Sequence, residues 1–201
     1  KYERVEPISN PLIIHLNLMF IFNKVHMSYD SIGDYPQNYS SGNIISRFID
    51  GLGFRYYWAT EGLTENDLKF KPSETGQSTI ETIRHIYWLA YMVNNTLYNR
   101  PSNRSFNTEI EPLSFNEVRS GTLDLIKEAS RLSGDLSEEQ LSQLKVQIQS
   151  GDKINPYPFW NMMNGPLSDA LYHTGQIVSF RRSSGNPIHK GVNVFLGQLI
   201  D

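Results

Sequence analysis

From residue 42 onward, four long stretches of this chain space their apolar residues three and four positions apart, a period that commits the chain to helices packed on one another. The first runs from about Gly42 to Gly62, with Ile44, Ile45, Phe48, Leu52, Tyr56 and Ala59 in register, and Gly51 and Gly53 either weaken it or let a neighbouring helix approach. The second, 78–99, opens with Ser78 and Glu81, the three-residue offset of a capping box, which satisfies two otherwise unpaired backbone donors. The third repeats that signal with Ser114 and Glu117 and carries Val118, Leu125, Ile126, Ala129 and Leu132 to Gly134. The fourth starts near Pro158 or Phe159, is expected to kink at Gly165-Pro166 where a backbone donor is missing, and ends at Gly185 ahead of Pro187.

What lies between is less regular. The connection TENDLKFKPSETGQ is polar and of functional length, and residues 135–158 form a long crossover before the last helix, with a short helix at SEEQLSQL, a brief alternating run KVQIQ and a Pro-rich turn. The tail IHKGVNVFLGQLID is expected to pack back on the helices or on a partner. The fold class that follows is all-α, and 201 residues suit one domain. Residues 1–27 read as an N-terminal extension, non-native or poorly ordered, with Met27 a plausible initiator, and 28–201 as the domain proper.

Composition removes several functions. A net charge of −3 gives no electrostatic case for nucleic acid. Without cysteine there are no disulfides, thiolate catalysis or cysteine zinc sites, so any metal must rest on histidine and carboxylate, and cytoplasmic residence fits. No apolar run approaches the roughly twenty residues needed to span a bilayer, so no membrane partner is expected.

The chemistry-bearing residues concentrate in two helices. Asp169 and His173 stand one turn apart, on the flank of the stripe formed by Leu167, Ala170, Leu171, Ile177, Val178 and Phe180, where a titratable group needs a partner. His85 lies at the edge of the arc made by Ile83, Ile86, Leu89, Ala90, Met92, Val93 and Leu97. Three donors from two facing helices would hold a divalent metal and leave coordination positions open, as catalytic sites do. For each residue a plainer role stands beside this one. His85 would be a hydrogen-bonded core histidine, Asp169 an acceptor behind a ligating histidine, and Glu81 only a cap. Arg181 faces inward and offers either an ion pair with Asp50 or Glu61 or a contact to a substrate anion; Gln176, one turn beyond His173, offers a donor toward the same site. Tyr56, Tyr57, Trp58, Tyr87, Trp88, Tyr91 and Trp160 read mainly as core or dimer surface, and His15, His26 and His189 are given no role.

A histidine in an apolar second helix, followed far downstream by a helix with His-x-x-Gln and an arginine pair, resembles the DinB superfamily, the DinB/YfiT-like metalloenzymes, over about residues 40–187. The resemblance implies an up-down four-helix bundle with a long crossover before the last helix, often a homodimer, and a metal held by three histidines. Carried onto this chain, those positions are His85, His173 and Asp169, so that a carboxylate stands where the family has its third histidine. That substitution hardens the site and tilts the metal from the zinc or nickel of the family toward iron or manganese.

The function implied is that of a metal-dependent transferase or hydrolase acting on a small-molecule substrate through a metal-activated water or a small-molecule thiol, which this cysteine-free chain cannot supply itself. The alternative is a catalytically inactive bundle that dimerises or binds a small ligand, its polar triad serving as a hydrogen-bonded network.

Overall fold

A computed structural model describes residues 29–200, so the extension expected over residues 1–27 lies outside the described residues. Four long helices form most of the body: α1 (Ser41–Thr60), α3 (Thr79–Leu97), α5 (Phe115–Gly134) and α8 (Ser168–Ser183). Helix α1 packs against α5 and α8, and α3 packs against the same two. Their inward stripes supply the core, including Ile49, Leu52, Tyr56, Ile83, Ile86, Val118, Ile126, Ala170 and Ile177, each at most 2% exposed. Among the described residues no helix is long and apolar enough to cross a membrane.

The starts of these helices follow from side-chain chemistry. Both Ser78 and Ser114 accept from the backbone N–H three residues on, while Glu81 and Glu117 accept from the serine backbone in return. Thr64 and Asp67 do the same for the short helix α2 (Glu65–Lys69), and Ser137 and Gln140 for α6 (Glu138–Gln143). Gly53 makes room for the Tyr29 ring of the lead-in segment, not for another helix: a Cβ there would lie 2.6 Å from the ring.

The all-α expectation needs correction, because the chain also carries small strands. After α3 come β1 (Ser102–Asn103) and α4 (Phe106–Ile110); after α6 come β2 (Lys145–Ser150) and β3 (Lys153–Pro158). The order is β1-β2-β3, with β1 parallel and β3 antiparallel to β2. The stretch taken for a Pro-rich turn is thus a strand joined to KVQIQ by a two-residue Gly151-Asp152 loop. Pro156 and Pro158 are tolerated because β3 is an outer strand. The tail forms a second small hairpin, β4 (Val192–Asn193) with β5 (Gln198–Leu199), and folds back on the lead-in through Ile32 N–H to Gly197 C=O at 2.7 Å.

The approach to the last helix breaks where the sequence loses a donor. A short turn α7 (Trp160–Met162) runs into a π-turn at Met163–Leu167, inside which Gly165 leaves helical geometry (φ −97°, ψ −110°) just before Pro166. The Ser168 hydroxyl donates to the Met163 carbonyl at 2.7 Å, α8 starts afresh, and Asp169 falls in its first turn.

Candidate metal centre

The packing of α3 on α8 brings His85, Asp169 and His173 together. Asp169 lies between the two imidazoles, with His85 Nε2 3.4 Å from Oδ2 and His173 Nε2 3.3 Å from Oδ1. The rings meet edge to face with centroids 4.7 Å apart. All three residues are half-buried, and their potential ligand atoms lie within 4.8 Å of one another. Among the described residues this is the one such group, and it could hold a metal ion.

Two geometrical facts bear on what the group accommodates. Charge-assisted hydrogen bonds between a nitrogen cation and a carboxylate run about 2.7–2.9 Å, shorter than either contact here. Atoms held about 2.0–2.1 Å from one tetrahedral ion sit about 3.3–3.4 Å apart along an edge, close to the distance from each imidazole to its own carboxylate oxygen, His85 using Oδ2 and His173 Oδ1.

The second fact concerns His173 Nδ1, which lies 2.6 Å from Gln176 Oε1. The amide oxygen can only accept, so a hydrogen bond between the two has Nδ1 as its donor. That tautomer leaves Nε2 facing Asp169 Oδ1, where either a proton, as in an imidazolium–carboxylate pair, or a cation would join the two. Gln176 therefore stands behind the histidine and orients it; its NH₂ group donates to the Tyr172 hydroxyl at 3.2 Å instead of turning toward an open coordination position.

Arg181, the other residue considered for a substrate anion, is placed elsewhere. It lies eight residues beyond His173, about 12 Å along the helix, and is 4% exposed. Its NH1 donates to the carbonyls of Trp58, Ala59 and Glu61 at 2.9–3.1 Å, and Nε to that of Asn186 at 2.6 Å. The guanidinium thus closes the C-terminal end of α1, a use of its donors that neither the expected ion pair with Asp50 or Glu61 nor the anion contact had described. Glu81 keeps to its cap, and hydrogen bonds from the Ser78 hydroxyl and backbone hold its carboxyl below the usual range.

Beside His85 is a small cleft of about 190 Å³ lined by His85, Trp88, Met92, Arg104, Asn107 and Ile148. Three of its six residues, Arg104, Asn107 and Ile148, carry no signal at helical spacing that marks them as site residues, and Arg104 and Ile148 arrive through strand pairing. The aromatic set that read as core contributes Trp88 to this wall, whereas Trp160 is 77% exposed.

A solved structure shares this architecture: a DinB-like protein of Bacillus subtilis, YjoA, is similar at 18% identity with a TM-score of 0.51, over 77% of this chain and 98% of that one. The chain has a DinB-like fold. No family model and no curated protein matches it. At that identity the likeness covers the DinB-like backbone, and the chemistry of this chain has to be argued from its own triad.

Proposed function

We propose that this protein is a metal-dependent enzyme, a transferase or hydrolase of a small-molecule substrate, in which His85, Asp169 and His173 hold one divalent transition-metal ion. The reading takes α1, α3, α5 and α8 as an up-down four-helix bundle of the DinB type, assembled as a homodimer. The observation that carries it is the convergence of His85, Asp169 and His173, whose potential ligand atoms lie within 4.8 Å of one another, with Gln176 held against His173 Nδ1. Two imidazoles and one carboxylate suit zinc, nickel, iron and manganese alike. Bound there, the ion would supply Lewis acidity, lowering the pKa of water or of a small-molecule thiol toward neutrality. The protein's own part is to hold the donors in place: Gln176 keeps the proton of His173 on Nδ1, and Asp169 balances the charge of the ion. Trp88 and Met92 make one side of the adjoining cleft apolar.

Metal analysis and melting curves test this together. Protein purified without chelator is expected to carry a stoichiometric transition metal. Adding that ion to metal-free protein at 100 times its Kd should stabilise the fold by about 2.7 kcal/mol. His173→Ala should lose both effects while keeping its helical circular dichroism. Equal melting temperatures with and without zinc, nickel, iron and manganese would instead leave the triad as a polar network in a catalytically inactive, ligand-binding bundle.

A further inference from the structure

The cleft beside His85 has a composition that specifies what it can take. His85, Trp88 and Met92 follow one another at i, i+3 and i+7, so they share one face of α3. The opposite wall comes from the strands: Ile148 of β2 pairs with Ser102 of β1, and the Arg104 backbone N–H donates to Gln149 C=O at 3.1 Å, which docks the following turn against that face. Exposed Arg104 and Asn107 thereby join His85 and the apolar Trp88, Met92 and Ile148 in the lining. Among the described residues Arg104 belongs to no ion pair, which leaves its guanidinium available at the cleft.

We infer that this cleft binds a small anion, a carboxylate or phosphate monoester on a short apolar body, with its charged end on Arg104 and Asn107 and its apolar part against Trp88, Met92 and Ile148. His85 belongs to both the cleft and the triad, so the bound molecule lies beside the metal position; the inference rests on the metal-site reading in treating that molecule as the substrate. Size limits the choice. The cleft is below the roughly 300–1,000 Å³ of pockets for drug-sized ligands, so the part of a ligand it holds is small. The planar fork of Arg104 suits both kinds of oxyanion.

The test is an NMR titration of the full chain, metal-free and metal-loaded, with hexanoate, butyl phosphate and 1-hexanol as probes. At least one anion is expected to bind, more tightly than the alcohol, and Arg104→Gln should weaken it on the order of ten-fold or more in both forms. Which anion binds better distinguishes carboxylate from phosphate recognition. The inference is overturned if no probe binds, if 1-hexanol matches the anions, if Arg104→Gln leaves anion affinity unchanged, or if binding needs the metal and ignores Arg104. Metal uptake, measured on the same samples, is the independent readout. Loss of uptake with Arg104-dependent anion binding intact removes the metalloenzyme reading alone, and intact uptake with no anion binding removes the substrate class alone.

Discussion

His173 shows how one residue joins several levels of this molecule. Its position is legible in the sequence, because a four-residue offset from Asp169 on a helix needs no further information to put both groups on one side. Its hydrogen-bond partner is not legible, since the Gln176 offset fits a substrate donor as well as a group behind the ring, and the 2.6 Å contact places Gln176 behind it. That contact makes a quantitative expectation. Replacing Gln176 by alanine removes the group that fixes the imidazole tautomer, and such outer partners typically contribute 10–100-fold in metal affinity. A chelator competition titration should show a loss of that order for Gln176→Ala and a recovery for Gln176→Glu, which keeps the acceptor. The metal-free melting temperature should barely move, because Gln176 is only half-buried. An unchanged metal affinity would remove Gln176 from the site.

Among elements, the helices were readable and the strands were not, for a physical reason. Capping boxes are local, so Ser78 with Glu81 and Ser114 with Glu117 mark helix starts within four residues. The pairing of β3 with β2 depends on which strand is outermost, and its two prolines argue against a strand until that order is known. Arg181 was likewise legible as buried but not as the residue closing α1, since its carbonyl partners lie some 120 positions away. Around it the ends of α1, α2 and α8 are tied through Asp67, which accepts from Ser184, from Asn186 and from the Thr64 backbone. Burial alone would raise the Asp67 pKa, but the hydrogen bonds from Ser184, Asn186 and Thr64 hold it far below the usual carboxylate range. A pKa depressed in the folded state contributes stability that is fully present above the unfolded value, about 4, and is lost as pH falls through the folded one. Asp67→Asn sets an NH₂ group against donors that need an acceptor, at a cost of about 2–3 kcal/mol, or roughly 5–10 °C in melting temperature at pH 7. Thermal melts across pH should show that gap narrowing below about pH 4; a constant gap would mean that the charge of Asp67 does not matter.

At the scale of the whole molecule, the sequence could indicate which helix faces point inward, but an outward apolar position has no partner within the chain to identify it. On α1, Ile45, Leu52, Tyr56 and Ala59 are buried as the period requires, together with Ile49, but Ile44 and Phe48, read in register with them, lie on a different face and remain 56% and 38% exposed. An isoleucine and a phenylalanine stacked there form a short apolar strip, and the homodimer of the proposed function would place its contact between copies on it. Because a two-fold interface uses each residue twice, a single charge introduced there acts on both sides of the axis. The homodimer in the proposed function therefore makes a specific demand. Light scattering after size exclusion should give twice the monomer mass for the unaltered chain and the monomer mass for Ile44→Glu combined with Phe48→Glu, with helical content and metal uptake retained, since neither residue belongs to the triad. A monomer in both cases would leave the metal centre as it stands and remove the dimer from the account; a dimer in both would move the interface away from α1.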